Sequence, residues 1–283
     1  MKEGGRSSFN FKMPVTNHTR QASGNLFEHS TRDSYEAGQI YTKETICSRL
    51  NVASREYADR LLAEKLSIVK RHIQSGLLVD LCCATGEHLF TLKDSSDRCI
   101  GIDFSRPFIE DARMKAETLG IDHVCFQVGD ATNIPLDSES AATLYSLSAL
   151  YQIPKLHNVL KEIARVLQTE GRCILDLGNS HSLNSICVKS YTELPPSFHI
   201  SVAEMLGLCK LHGLEVIEHR AFQILPLWAG KPRWLWPLLH PKWKTIMATR
   251  IAGRMLDEWL SSSWLLRSFA FRHLLVCVKR SKD

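Results

Sequence analysis

The 283-residue sequence contains no run of about 18 uncharged apolar residues, which argues against a membrane-spanning helix. None of its nine cysteines forms a CxxC pair, so a zinc site has no support and no metal is expected. No G-x-G-x-x-G occurs, and with it goes the standard cradle for a dinucleotide pyrophosphate. Internal repeats and low-complexity tracts are absent. The basic, polar opening MKEGGRSSFNFKMPVTNHTRQASGN lacks the apolar stretch of a secretory signal. Nor is there a large charge excess: the formal net charge is +5, with 44% apolar and 23% charged residues, which excludes bulk disorder.

What is present is unevenly distributed. Between Pro226 and Ser268 stand Lys231, Arg233, Lys242, Lys244, Arg250, Arg254 and Arg267 against only Asp257 and Glu258. The same segment holds all six tryptophans: Trp228, Trp234, Trp236, Trp243, Trp259 and Trp264. The odd cysteine number, with Cys99, Cys125, Cys173 and Cys277 inside apolar runs, reads as reduced thiols serving as core hydrophobes in a cytoplasmic chain.

Residues 1–42 lack periodicity and read as a mobile segment. Leu62, Leu66, Val69 and Ile73 are spaced as one face of a helix within 43–74. Apolar runs then alternate with helical stretches: Leu77–Leu81, Arg98–Asp103, His123–Val128, Ala142–Leu147 and Arg172–Leu177 as strands, with helices over 105–119 and 155–168. This alternation predicts an α/β fold: a doubly wound, mostly parallel, seven-stranded Rossmann-like sheet. Gly213–Gln223 and Phe271–Val278 follow without a crossover and predict an antiparallel hairpin at the C-terminal edge, interrupted by the Trp-rich insertion. The expected organisation is therefore a core over 43–225, an insertion over 226–268 and a final strand and tail over 269–283. Ile251, Met255, Trp259 and Leu266 suggest a helix within 246–266.

Three groups of residues fall at successive strand ends, where open α/β sheets bind ligands. Asp80-Leu81-Cys82-Cys83-Ala84-Thr85-Gly86 follows the first strand, Asp103-Phe104-Ser105 the second, and Gly129-Asp130-Ala131 the third. A carboxylate ending the second strand can accept both hydroxyls of a ribose. Asp80 can orient its turn or receive an ammonium group. Asp130 and the Ala131 amide offer the acceptor and donor that an adenine edge requires, and Phe104 offers a face for its ring.

These segments resemble the class I S-adenosylmethionine-dependent methyltransferases. VDLCCATGEH is similar to the family's first motif, GIDFS to the second and VGDATNIPL to the third. SLSALYQIP and LKEIARVLQTEGRCILDL are similar to its later blocks. Cys82 and Ala84 stand where glycine is usual, as in the small-molecule, quinone-methylating branch for the first position. The resemblance implies S-adenosyl-L-methionine as cofactor, with Asp80, Cys82, Ala84, Gly86, Asp103, Phe104, Asp130, Ala131 and Ser146 around it. On the acceptor side, His181 is a candidate base and Tyr151 a candidate contact. His157 is expected to face solvent and His88 to pack.

Tryptophan interleaved with Lys and Arg suits either a lid over an apolar acceptor or an element lying on an anionic bilayer. Both point to a small, hydrophobic or lipid-like acceptor and to a cytoplasmic protein, peripheral on a membrane in the second case. RNA or protein as acceptor, and a non-catalytic cofactor-binding regulatory subunit, are the alternatives. No nucleic-acid-binding module is recognisable. The sequence leaves the oligomeric state open.

Overall fold

The computed structural model describes residues 52–191 and 197–281. The expected mobile segment 1–42 and the start of the first helix lie outside them. Helix α1 (Val52–His72) leads into β1 (Leu77–Leu81), α2 (Glu87–Leu92), β2 (Arg98–Asp103), α3 (Arg106–Thr118), β3 (Val124–Val128) and β4 (Ala141–Ser146). There follow α4 (Leu156–Val166), β5 (Leu167–Gly178), α5 (Leu183–Lys189), α6 (Val202–Leu211) and β6 (Leu214–Phe222). The segment after β6 carries α7 (Trp236–Leu239), α8 (Lys242–Met247) and α9 (Leu256–Ser262), and β7 (Arg272–Lys279) closes the fold.

The seven strands form one sheet in the order β3-β2-β1-β4-β5-β7-β6. Strands β1 to β5 are mutually parallel, and β7 runs antiparallel to both β5 and β6. The doubly wound core and its antiparallel edge are thus as the alternation predicts. Alternate residues explain why these runs are apolar throughout. Leu78 faces one core with α1, α2 and α3, while Val79 and Leu81 face the other with α4 and α6. One cysteine departs from expectation. Cys125 on the edge strand β3 is exposed, whereas Cys99, Cys173 and Cys277 are buried.

The Trp-rich segment is not a single helix over 246–266. Arg250–Ile251 and Arg254–Met255 pair as a tight hairpin, with Ala252 and Gly253 both left-handed at φ 47° and 81°. Such a two-residue turn needs positive φ at both central positions, which ends the helical path. Of the supposed helical face only Met255 is buried; Ile251, Trp259 and Leu266 are exposed. The inner face of the segment packs on the core through Leu225, Leu227, Met247, Ala248 and Met255. Buried Asp257 anchors it, accepting the Tyr57 hydroxyl at 3.0 Å and the Gln223 amide at 2.7 Å.

A histidine pair couples β6 to β7. His273 Nε2 lies 3.1 Å from the Ala270 carbonyl and His219 Nε2 lies 2.7 Å from His273 Nδ1. With both Nε2 atoms protonated, each ring donates once and the pair is neutral. Burial pulls His219 down to about 3, with His273 adding, and His273 to about 4. An unfolded imidazole titrates near 6.5. As pH falls below about 6.5 the unfolded chain takes up protons that the folded chain refuses until near 4. Stability therefore drops across that window, by up to about 1.4 kcal/mol per pH unit for each ring. Melting temperatures should be lower at pH 5 than at pH 7, and His219→Gln should flatten the difference.

Candidate active site

The loop after β1 is tied to the neighbouring strand end. The amides of Cys82 and Cys83 donate to the Ile102 carbonyl at 2.7 and 3.1 Å, and the Ala84 amide donates to Asp103 Oδ2 at 2.9 Å. Asp103 Oδ1 accepts the Ser105 amide at 2.9 Å, and the Asp103 carbonyl accepts the Gly129 amide at 2.9 Å. One residue thus links the ends of all three strands. Burial raises the Asp103 carboxyl, while the amides of Ser105, Ala84 and Phe104 oppose the shift. With three amides on about four acceptor sites, the carboxylate retains one further lone pair.

The loop is left-handed at Cys82 (φ 64°), Ala84 (φ 46°) and Gly86 (φ 77°). Glycine is required at the last of these. A Cβ on Gly86 would lie 2.5 Å from the Phe126 ring. The other two positions hold a strained backbone, at roughly 1–2 kcal/mol each for an L-residue. Ala84→Gly should therefore stabilise the protein by about 0.5–1 kcal/mol, after the extra unfolded-state entropy of glycine is set against the relieved strain. Thermal unfolding should register about 1–3 °C of gain.

The three carboxylates converge. Burial, then the charges of Asp103 and Asp80, and more weakly Asp130, push the Cys82 thiol well up, with Ser146 opposing. Asp80 is 1% exposed and its Oδ2 completes no hydrogen bond among the described residues. Burial raises its carboxyl well above the usual carboxylate range; the neighbouring Tyr145 hydroxyl opposes and Asp103 adds. The Tyr145 hydroxyl and the fully buried Ser146 Oγ also complete no hydrogen bond. Asp130 Oδ1 accepts the Thr132 amide and hydroxyl, both at 2.8 Å, which shapes the turn after β3. Ala131 is buried beside it, and Phe104 is half-buried at the β2 end.

The two acceptor-side candidates part company. Tyr151, after β4, lies with its ring centroid 3.8 Å from the Arg272 guanidinium carbon and 5.7 Å from the His199 ring. His181 is exposed on the turn before α5, its ring 3.5 Å from its neighbour Ser180 Oγ. His157 is exposed, its Nδ1 3.2 Å from His212 Nε2, and His88 is half-buried with its pKa lowered by burial and then by Lys65. Sequence reasoning missed a buried polar group at this end of the sheet. Lys65 of α1 pairs with Asp176 of β5 at 2.8 Å, and the Ser148 amide and hydroxyl donate to the same Asp176 Oδ2 at 3.0 and 3.2 Å. Burial raises the Asp176 carboxyl, but Lys65 and Arg272 outweigh it and hold the group below its usual range. The available signal was a carboxylate inside the apolar run Arg172–Leu177 and the Arg272-His273 pair opening an apolar strand.

With the geometry established, comparison with known proteins is decisive for the family. The profile of the methyltransferase-domain family matches residues 75–221, about half of the chain. The chain belongs to that family. Within it, the chain is 35% identical over 100 residues to a demethylmenaquinone methyltransferase of Lactococcus lactis subsp. lactis, covering 34% of this chain and 40% of the relative. It is 28% identical over 125 residues to the 27-O-demethylrifamycin SV methyltransferase of Amycolatopsis mediterranei, covering 44% and 46%. The chain spans about half the length of the curated relatives it matches. Among solved structures, the geranyl diphosphate C-methyltransferase of Streptomyces coelicolor A3(2), in complex with Mg2+, geranyl diphosphate and S-adenosyl-L-homocysteine, superposes with a TM-score of 0.55. It is 20% identical and the match covers 78% of each chain, a likeness of fold. These matches bear out the class I methyltransferase resemblance and its Rossmann-like sheet.

Proposed function

We propose that the protein transfers a methyl group from S-adenosyl-L-methionine to a small hydrophobic acceptor. The observation that carries this reading is the convergence of Asp80, Asp103 and Asp130 on the loop from Cys82 to Gly86, with the buried Asp80 Oδ2 left unpartnered. The donor set fits the cofactor. An ammonium group beside Asp80 supplies the cation that its buried carboxylate lacks. Asp103 has an acceptor site for a ribose hydroxyl beyond those its three amides use. Asp130 and the Ala131 amide suit an adenine edge, and the Phe104 ring its face. Small residues at 82, 84 and 86 allow close approach of the backbone, and Ser146 closes the side toward β4.

When bound, the cofactor supplies an already activated methyl group. The protein's own contribution is then alignment and exclusion of water, which in favourable cases is worth about 7–11 kcal/mol. Tyr151 is retained as the acceptor contact. His181, expected as a base, has its ring exposed on the turn before α5, among the described residues. The test is to incubate the protein with methyl-labelled cofactor and a host extract. Label should enter the lipid and small-molecule fractions; label confined to RNA or protein would overturn the acceptor class. Cofactor binding without transfer to any fraction would favour the regulatory-subunit reading.

The outer face of the Trp-rich segment supports delivery of that acceptor from a membrane surface. Trp234, Trp236, Trp264, Leu265 and Phe269 are 50–82% exposed, with Arg233 and Arg267 exposed beside them. No helix among the described residues is long and apolar enough to cross a membrane. Aromatic rings with Arg at their margin suit the headgroup layer of an anionic bilayer. The protein should co-sediment with phosphatidylcholine vesicles containing phosphatidylserine and less with phosphatidylcholine alone. Trp264→Asp combined with Leu265→Asp should lower partitioning by about tenfold or more. Unchanged partitioning would leave the segment as a lid only.

A further inference from the structure

The ends of β5 and β7 bury more positive charge than negative. Lys65 and Asp176 neutralise each other at 2.8 Å, with side chains 5% and 0% exposed. Arg272, 8% exposed and paired with Gly178 across the β5–β7 ladder, has no carboxylate within ion-pair distance among the described residues. Its Nη1 is buried and completes no hydrogen bond among the described residues. Tyr151 and Phe271 flank the guanidinium, with centroids 3.8 and 4.7 Å from its central carbon. His199 stands edge-on to Phe271 at 4.9 Å, and its Nε2 is likewise buried and unpartnered. A desolvated guanidinium whose nearby carboxylate, Asp176, is already paired with Lys65 is costly, and buried polar atoms are normally satisfied. Among the described residues the cluster is therefore incomplete.

Its position gives the missing partner a role. Asp80 pairs with Tyr145 across β1–β4, Ser146 with Leu175 across β4–β5, and Gly178 with Arg272 across β5–β7. With neighbouring strands about 4.8 Å apart, Arg272 lies roughly 15 Å along the sheet from the β1 end. That separates it from the residues assigned to the cofactor and places it on the acceptor side.

We propose that Arg272, with His199, forms a buried subsite for an anionic oxygen of the acceptor: a carboxylate, enolate or phenolate carried on an apolar or aromatic body. This deepens the methyltransferase reading and rests on it. Arg272 supplies the charge and the Nη1 donor. His199, held neutral because burial and then Arg272 lower its pKa to about 4, adds an Nε2–H donor in the tautomer protonated there. Tyr151 and Phe271 lie against the guanidinium and hold it in place. Asp176 Oδ1, also unpartnered, is left to accept a hydroxyl next to the anionic oxygen.

Salicylate and its neutral counterpart salicylamide test this, titrated calorimetrically into the full chain with and without S-adenosylhomocysteine. Salicylate should bind about tenfold or more tightly than salicylamide, as expected for a charge-assisted hydrogen bond in a dry site. Arg272→Gln should abolish the preference and Arg272→Lys should keep part of it, with far-UV circular dichroism as the check on folding. Equal binding of the two probes to the unaltered protein overturns the subsite, and that comparison needs no variant. So does an anion preference that survives Arg272→Gln. Failure of S-adenosylhomocysteine to bind would instead strike the methyltransferase reading, and the titration without it still decides the subsite.

Discussion

Asp103→Ala should weaken S-adenosylhomocysteine binding by about tenfold to a hundredfold and destabilise the protein by about 2–4 kcal/mol. The two effects have separate origins. The stability loss comes from the amides of Ala84 and Ser105, each now 2.9 Å from a carboxylate oxygen and each left without an acceptor after truncation. An unpaired buried donor costs about 1–3 kcal/mol, and partial relaxation or water entry lowers the sum. The affinity loss comes from the ribose hydroxyls, whose ionised acceptor would be gone. Asp103→Asn separates the two. It preserves shape and one carbonyl oxygen, so one loop amide stays satisfied, but its NH2 cannot accept from the other. Its stability loss should be about half that of alanine, with most of the affinity loss retained. Melting curves and calorimetry on the same preparations check both. If affinity is unchanged in both variants while stability falls, Asp103 is a clamp between loops and has no part in binding.

The parts legible in the sequence are those set by local pattern. The bounds of β1 and β2 could be read to the residue because Leu77–Leu81 and Arg98–Asp103 are short apolar runs. The convergence of Asp80, Asp103 and Asp130 was legible for a topological reason: parallel strands present their carboxyl ends on one side, whatever the helices between them contain. The hairpin at 250–255 was misread because Ile251, Met255 and Trp259 imitate a helical spacing; Gly253 was the warning. The Lys65–Asp176–Arg272 group was not legible as a group. Its members are on α1, β5 and β7, and Lys65 is 111 residues from its partner. No local period reports a charge pairing made only when the sheet closes. The placement of His181 was not legible for the complementary reason. It follows β5 closely in sequence, but β5 ends at Gly178, whose added Cβ would meet the His199 ring at 2.4 Å. His181 is exposed beyond it, whereas the His199 ring lies against Gly178.

The Lys65–Asp176 pair should respond unequally to loss of its two members. Removing one partner of a buried ion pair costs about 3–5 kcal/mol, because the survivor remains desolvated without compensation. Asp176→Leu belongs at the top of that range or above it. It leaves Lys65 and Arg272 as two buried cations with no anion between them, and removes the acceptor of the Ser148 amide and hydroxyl. Lys65→Met should be milder, since Arg272 already acts on Asp176 and remains to oppose its charge. The double variant Lys65→Met with Asp176→Leu should lie closer to Lys65→Met than to Asp176→Leu. An apolar pair of similar volume needs no desolvation, so only Arg272 and the Ser148 donors stay unbalanced. Urea unfolding midpoints at unchanged slope give the order directly. The reverse order, with Lys65→Met the more damaging, would mean that Arg272 does not share the field of Asp176.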